Sequence, residues 1–171
     1  MITLVRACEV PAASLLRAYK DGIGFADCYV AEVQGHITQS MFIEAFYTSA
    51  VFKVERTLLR YLASRPASDA DAHQLAAGKA GTFSAWRVER QSSSELLLSD
   101  LTGRTRSWLM AAAVQAQPVS TRLYFGSAVV PRPGRGQSRP GMGWPFHALL
   151  GFHRLYSRLL LLAATRRLAR A

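Results

Sequence analysis

The chain has 171 residues, half of them hydrophobic and 19% charged, which suits one domain with a full core and excludes both a wholly disordered chain and two ordinary domains. The net charge of +10 is unevenly placed: residues 1–100 hold ten Lys/Arg against eleven Asp/Glu, whereas residues 101–171 hold eleven Arg and no acid. The start, Met1-Ile2-Thr3-Leu4-Val5-Arg6, lacks the basic opening and long apolar run of a signal peptide. The most apolar window, Leu155 to Ala164, is interrupted by Arg158 and flanked by Arg154, Arg166 and Arg167, so a cytoplasmic chain without a membrane span is expected.

In chain order, residues 1–24 are weakly specified: Ile2 to Val10 suits a short strand, and Ser14 can cap a brief helix ended by Asp21-Gly22-Ile23-Gly24. Phe25 to Val33 alternates Tyr29, Ala31 and Val33 against Cys28, Val30 and Glu32, the pattern of a strand that Gly35 ends. Thr38 or Ser40 caps a helix carrying Phe42, Ile43, Phe46 and Tyr47, and a second cap signal at Thr48-Ser49 gives either a second helix or a kink in the first, followed by an inward stripe of Val51, Val54, Leu58, Tyr61 and Leu62. Ser68 caps a third helix, Asp69 to Ala77, stopped at Gly78.

Beyond Gly81 the period changes to two. Thr82 to Gln91, Glu95 to Leu101, Arg104 to Gln115 and Thr121 to Val130 read as four strands of an antiparallel meander, joined by short turns at Ser92-Ser93-Ser94, Thr102-Gly103 and Gln117-Pro118. Residues 131–143, rich in Pro, Gly and Arg, form a flexible basic loop. Residues 145–169 then contain one Gly and no Pro after the first position, and read as one long C-terminal helix. Phe146, Leu149, Leu150, His153, Tyr156, Leu160, Leu161, Ala164 and Leu168 share its broad apolar side; His147, Arg154 and Arg158 form a polar stripe opposite. Burying five of those large apolar residues gains about 10 kcal/mol gross, so the helix is expected to lie on the sheet.

This order of elements is that of the helix-grip fold. The stretches Phe25-Ala26-Asp27-Cys28-Tyr29, Glu44-Ala45-Phe46-Tyr47, Ala85-Trp86-Arg87-Val88, Leu101 to Leu109, Leu123 to Pro131 and His153-Arg154-Leu155-Tyr156-Ser157-Arg158 resemble a family of bacterial proteins of unknown function related to the START and polyketide-cyclase-like (SRPBCC) superfamily. The resemblance spans roughly residues 25 to 165. It implies a single α+β domain over 1–171, a curved antiparallel sheet wrapped around the C-terminal helix, and a cavity between them for a lipid, polyketide or similar molecule. Four strands after the helices fall short of a full helix grip, so the sheet is either reduced or completed by Ile2 to Val10.

The candidate ligand contacts are Trp86, Arg106, Trp108, Tyr124 and His153. In this reading the aromatics supply contact area, Arg106 offers a planar fork to an anionic head, with Asp100 across the turn holding it, and His153 supplies a hydrogen bond. Mid-strand aromatics and a helix histidine more often belong to a packed core, and Arg106 with Asp100 equally suits a surface ion pair. Two further readings stand beside this one. One is a cyclase- or hydrolase-type enzyme using His153 and Asp100; the other is an interaction protein whose Arg132, Arg135 and Arg139 meet an anionic membrane or nucleic acid. Eighteen Arg beside three Lys also fits GC-rich coding, in which case the surplus has no partner. No spacing of His or Cys suits a metal, no motif suits a cofactor, and Cys8 and Cys28 read as two packed thiols.

Overall fold

A computed structural model describes residues 4–21, 25–54, 57, 67–115, 117–130 and 144–170, with the backbone alone for 144–153. The described residues form an α+β structure with one seven-stranded antiparallel sheet. Its strands are β1 (Arg6–Ala7), β2 (Phe25–Gln34), β3 (Thr82–Phe83), β4 (Trp86–Gln91), β5 (Glu95–Asp100), β6 (Thr105–Val114) and β7 (Ser120–Val129), in the order β1-β2-β7-β6-β5-β4-β3. Helices α1 (Arg17–Lys20), α2 (Gln39–Tyr47), α3 (Asp69–Ala76) and α4 (Trp144–Leu168) accompany it. No helix among the described residues is long and apolar enough to cross a membrane.

Five strands follow the helices, not four. The expected strand Thr82 to Gln91 is a hairpin, with Thr82 opposite Arg87 and Phe83 opposite Trp86, turning through Ser84 at φ 53°. Tight hairpins need positive φ and favour Gly or Asn there; a serine gives no such signal. Of the expected strand Ile2 to Val10, the described residues contribute Arg6 and Ala7, paired with Val30 and Tyr29 at the sheet edge, while Ile2 and Thr3 lie outside them.

The caps act as their residue types dictate. The Thr38 hydroxyl accepts from the Met41 amide at 3.2 Å, and Ser68 and Asp71 form a reciprocal capping box on α3. A further helical stretch covers 50–54, entered through Ser49, whose Oγ accepts from the Phe52 amide. Phe52 is buried and Val51 packs half-buried against the same core, in line with the expected stripe, while Val54 is 63% exposed, contrary to it; Leu58, Tyr61 and Leu62 lie outside the described residues. Gln39 docks α2 on the sheet: its side-chain amide donates to the Leu109 carbonyl at 3.1 Å and accepts from the Ala111 amide at 2.8 Å.

Both faces of the sheet carry buried residues, the outer one only in part, since Glu32 and Arg122 on it are exposed. On one, the helix face, Tyr29, Ala31, Val33, Phe83, Leu96, Leu98, Leu109, Leu123 and Phe125 pack with Phe42, Ile43, Phe46, Tyr47 and Phe52, with Leu75 of α3 and with Leu160, Leu161 and Ala164 of α4. On the other, the outer face, Cys28, Leu97, Trp108 and Ala128 pack under Val10 and Leu16 of the N-terminal segment. Two-sided burial explains why Leu96-Leu97-Leu98 shows no alternation. Along α4, Leu160, Leu161 and Ala164 are buried, Tyr156 and Leu168 are half-buried, and Arg154 and Arg158 are exposed, as the period of 3.6 predicts. Two polar residues join the buried side, Ser157 and Thr165.

Candidate functional site

The sheet's register gathers a polar row on the helix face. Asp27 of β2 lies opposite Ser127 of β7, and Ser127 lies opposite Ser107 of β6. All three share the helix face with the next row, Tyr29, Phe125 and Leu109, because side chains two apart on a strand point the same way. The Ser127 hydroxyl donates to Asp27 Oδ1 at 2.6 Å, and the Tyr29 hydroxyl to Asp27 Oδ2 at 3.3 Å. Ser107, Ser127 and Tyr29 are all buried.

Helix α4 packs on β2, β7 and α2 and brings its own polar groups. The Arg158 guanidinium lies over the Tyr29 ring, 5.5 Å from its centroid, a cation–π contact. Ser157, one residue earlier, is 1% exposed, and its Oγ has no hydrogen-bond partner among the described residues. A buried hydroxyl left without a partner costs about 1–3 kcal/mol relative to a satisfied one. The arrangement therefore grades from hydrogen-bonding groups at Asp27, Ser107, Ser127 and Ser157 to an apolar wall at Phe125, Leu109 and Leu123.

Burial pushes the Tyr29 phenol up to about 12, with the charge of Asp27 and its hydrogen bond adding to the shift and Arg158 and Arg154 opposing it. The unfolded chain loses this proton near 10 while the folded chain holds it, so the contribution of Tyr29 is complete below pH 10 and is lost as pH rises toward 12. Subtracting the alkaline absorbance titration of Tyr29→Phe from that of the native chain is expected to show one phenol ionising near 12; a difference curve centred at 10 would place Tyr29 in water.

The five residues selected from sequence do not form one site. Trp86 packs against the helix-face core, half-buried at the start of β4. Arg106, Trp108 and Tyr124 fall on the outer face, away from α4. Trp108 is wholly buried there, its indole N–H donating to Glu95 Oε2 at 2.7 Å, with the Tyr124 ring centroid 6.2 Å away. Arg106 pairs with Glu89 at 2.6 Å and lies over the Tyr19 ring at 4.7 Å, so an anionic head between sheet and helix is out of its reach. The physical reason is parity. Residue 108 differs from the helix-face Leu109 by one, and a one-residue step crosses the sheet. The His153 backbone is helical, and its side chain lies outside the described residues, as do Arg132, Arg135 and Arg139.

Asp100 does not orient Arg106 either. Its carboxylate takes the Thr102 hydroxyl at 2.6 Å and the Arg104 and Thr105 amides at 2.7 and 3.1 Å, closing its own turn. Burial raises the Asp100 pKa, and the Thr102, Thr105 and Arg104 hydrogen bonds together with the nearby Arg106 charge more than offset it, so the carboxyl stays below its ordinary range and is a poor proton carrier near neutrality. Among the described residues no three His, Cys, Asp or Glu side chains are grouped to hold a metal. His73 instead pairs with Glu44, 3.1 Å from Nδ1 to Oε2.

No protein-family model matches this chain, and no curated protein matches it.

Proposed function

We propose that the chain is a helix-grip protein that binds a small apolar or amphipathic molecule without covalent chemistry, between the sheet and the first half of α4. The observation that carries this reading is the polar row Asp27–Ser127–Ser107, set in register on a largely apolar face that α4 also covers, together with the buried Ser157 hydroxyl of α4, which has no partner among the described residues. The strand order β2-β7-β6-β5-β4-β3, with α2 and α3 inserted after β2 and α4 last, supports the helix-grip assignment. The packed end, where Leu160, Leu161 and Ala164 meet Phe46 and Phe125, holds the helix in place. The polar end offers a ligand's head group the Asp27 carboxylate, the serine hydroxyls and the Tyr29 phenol, and the aromatic and aliphatic row takes its apolar body.

The test is native mass spectrometry of the full chain after incubation with a solvent extract of its expression host. A reproducible adduct is expected on the native chain. Asp27→Ala should weaken it by about 10–100-fold, the value of a hydrogen bond to a charged group, and Arg106→Ala should leave it unchanged. No adduct on the native chain, or equal losses in the two variants, would reject the reading.

A second reading rests on a different surface. The exposed Arg166, Arg167 and Arg170 border a groove of about 730 Å³ against α2, lined also by Met41, Ala45, Val51 and Leu168, with Glu44 as the one acid among the described lining residues. An interaction protein docking this end on an anionic membrane would bind phosphatidylglycerol vesicles with an affinity that falls steeply with salt.

A further inference from the structure

The sequence presents Cys8 and Cys28 as unrelated thiols; the fold makes them neighbours. β1 and β2 pair Arg6 with Val30 and Ala7 with Tyr29, and the Cys8 amide continues that register by donating to the Cys28 carbonyl at 2.9 Å. Cross-strand partners of this kind have Cα atoms about 5.5 Å apart, inside the roughly 4.4–6.8 Å that a disulfide bridges. Their sulfurs are 3.3 Å apart and share a hydrogen bond, and both are free thiols. Cys8 is half-buried and Cys28 is buried, so a small reagent in solvent meets Cys8 first.

We propose that Cys8 and Cys28 are a reversible dithiol/disulfide site whose oxidant is a low-molecular-weight disulfide of the glutathione type. The Cys8 thiolate attacks one sulfur of that disulfide, forming a mixed disulfide on Cys8 and expelling one thiolate. Cys28 then gives up its proton and attacks Cys8 Sγ, forming the Cys8–Cys28 bond and expelling the second thiolate. Two protein thiols lose two electrons and two protons, and one external disulfide becomes two thiols. The division of roles follows the surroundings. The hydrogen bond with Cys28 lowers the Cys8 pKa, with Arg6 helping and burial and Glu9 opposing; that same bond, together with burial, raises Cys28. Cys8 is thus the attacking group and Cys28 the resolving one.

The bond would fasten the N-terminal segment where it crosses onto the outer face. That segment carries Val10, Leu16 and Tyr19 over Trp108 and Ala128, and is otherwise held by Glu95, which accepts the Leu15 amide at 2.8 Å, and by the Tyr19–Glu89 hydrogen bond. Linking two residues 20 apart removes loop freedom from the unfolded chain and is expected to raise the melting midpoint by about 5–10 °C.

The experiment treats the reduced full chain with oxidised glutathione, blocks the remaining thiols and maps peptides without reduction. The expected result is an intramolecular Cys8–Cys28 peptide pair in monomeric protein, with the higher melting midpoint reversed by dithiothreitol. Cys28→Ser and Cys28→Ala should each stop at a glutathione adduct on Cys8. A native chain in which the Cys8 adduct persists, both thiols stay open to alkylation, or bridges join separate molecules would overturn the proposal; mapping of the native chain decides this even if neither variant folds.

Discussion

Trp108→Ala is expected to lower the unfolding free energy by about 3–5 kcal/mol, the range for deleting a large aromatic from a core. Trp108 is wholly buried and is the largest side chain on the outer face, where it supports Val10, Leu16, Cys28, Leu97 and Ala128. Its indole N–H and the Leu15 amide both donate to Glu95 Oε2, so truncation removes one of two bonds that position this carboxylate and opens a cavity under the N-terminal segment. Urea unfolding followed by far-ultraviolet circular dichroism measures the change. A loss below about 1 kcal/mol would mean that the outer face is not a core. The result also separates the two roles open to Trp108 from sequence. As an outer-face core residue it governs stability, and Trp108→Phe, which keeps a ring there, should retain any ligand held on the helix face.

Gly126→Ala is expected to cost about 2–3 kcal/mol although it adds one methyl group. A Cβ at this position would sit 2.4 Å from Leu16 Cδ2, 2.9 Å from the Asp27 carbonyl oxygen and 3.1 Å from Trp108 Cε3. Leu16 is wholly buried, and Asp27 belongs to the paired strand, so neither can withdraw without disturbing the outer core or the ladder. Gly126 is absent a side chain so that Leu16 can close on the sheet between Cys28 and Trp108, its cross-strand neighbours. A double-mutant cycle checks this cause directly. In a Leu16→Ala background the penalty of Gly126→Ala should shrink by 1 kcal/mol or more, whereas additive effects would assign the strain elsewhere.

These two residues mark where reading the sequence stops. β2, the Thr38 and Ser68 caps, the last three strands and α4 were all legible to within a residue or two, because hydrophobic period and cap chemistry are local. The two-residue turn at Ser84–Ala85 was not, since serine carries no positive-φ preference. Nor was the face to which Trp108 points: parity transfers between strands only through register, and the pairing of β4 with β5 shifts between Val88 and Arg90. Two signals for a covered outer face were nonetheless present, the unbroken Leu96-Leu97-Leu98 and a glycine in the middle of β7. The candidate site was the least legible part. Asp27, Ser107, Ser127 and Ser157 lie on four different elements, and each is an ordinary polar residue in its own stretch. Only the sheet's register sets Asp27, Ser107 and Ser127 in one row, and only the packing of α4 buries Ser157.

The most direct test of the two-faced account is a ¹H–¹⁵N spectrum of the full chain, recorded with and without the apolar fraction of a solvent extract of its expression host. The account predicts shifts concentrated at the amides of Asp27, Ser107, Ser127 and Ser157, with the Trp108 indole N–H unmoved behind the sheet. Movement of the Trp108 indole while those four amides stay still, or no movement anywhere at saturating extract, would contradict it.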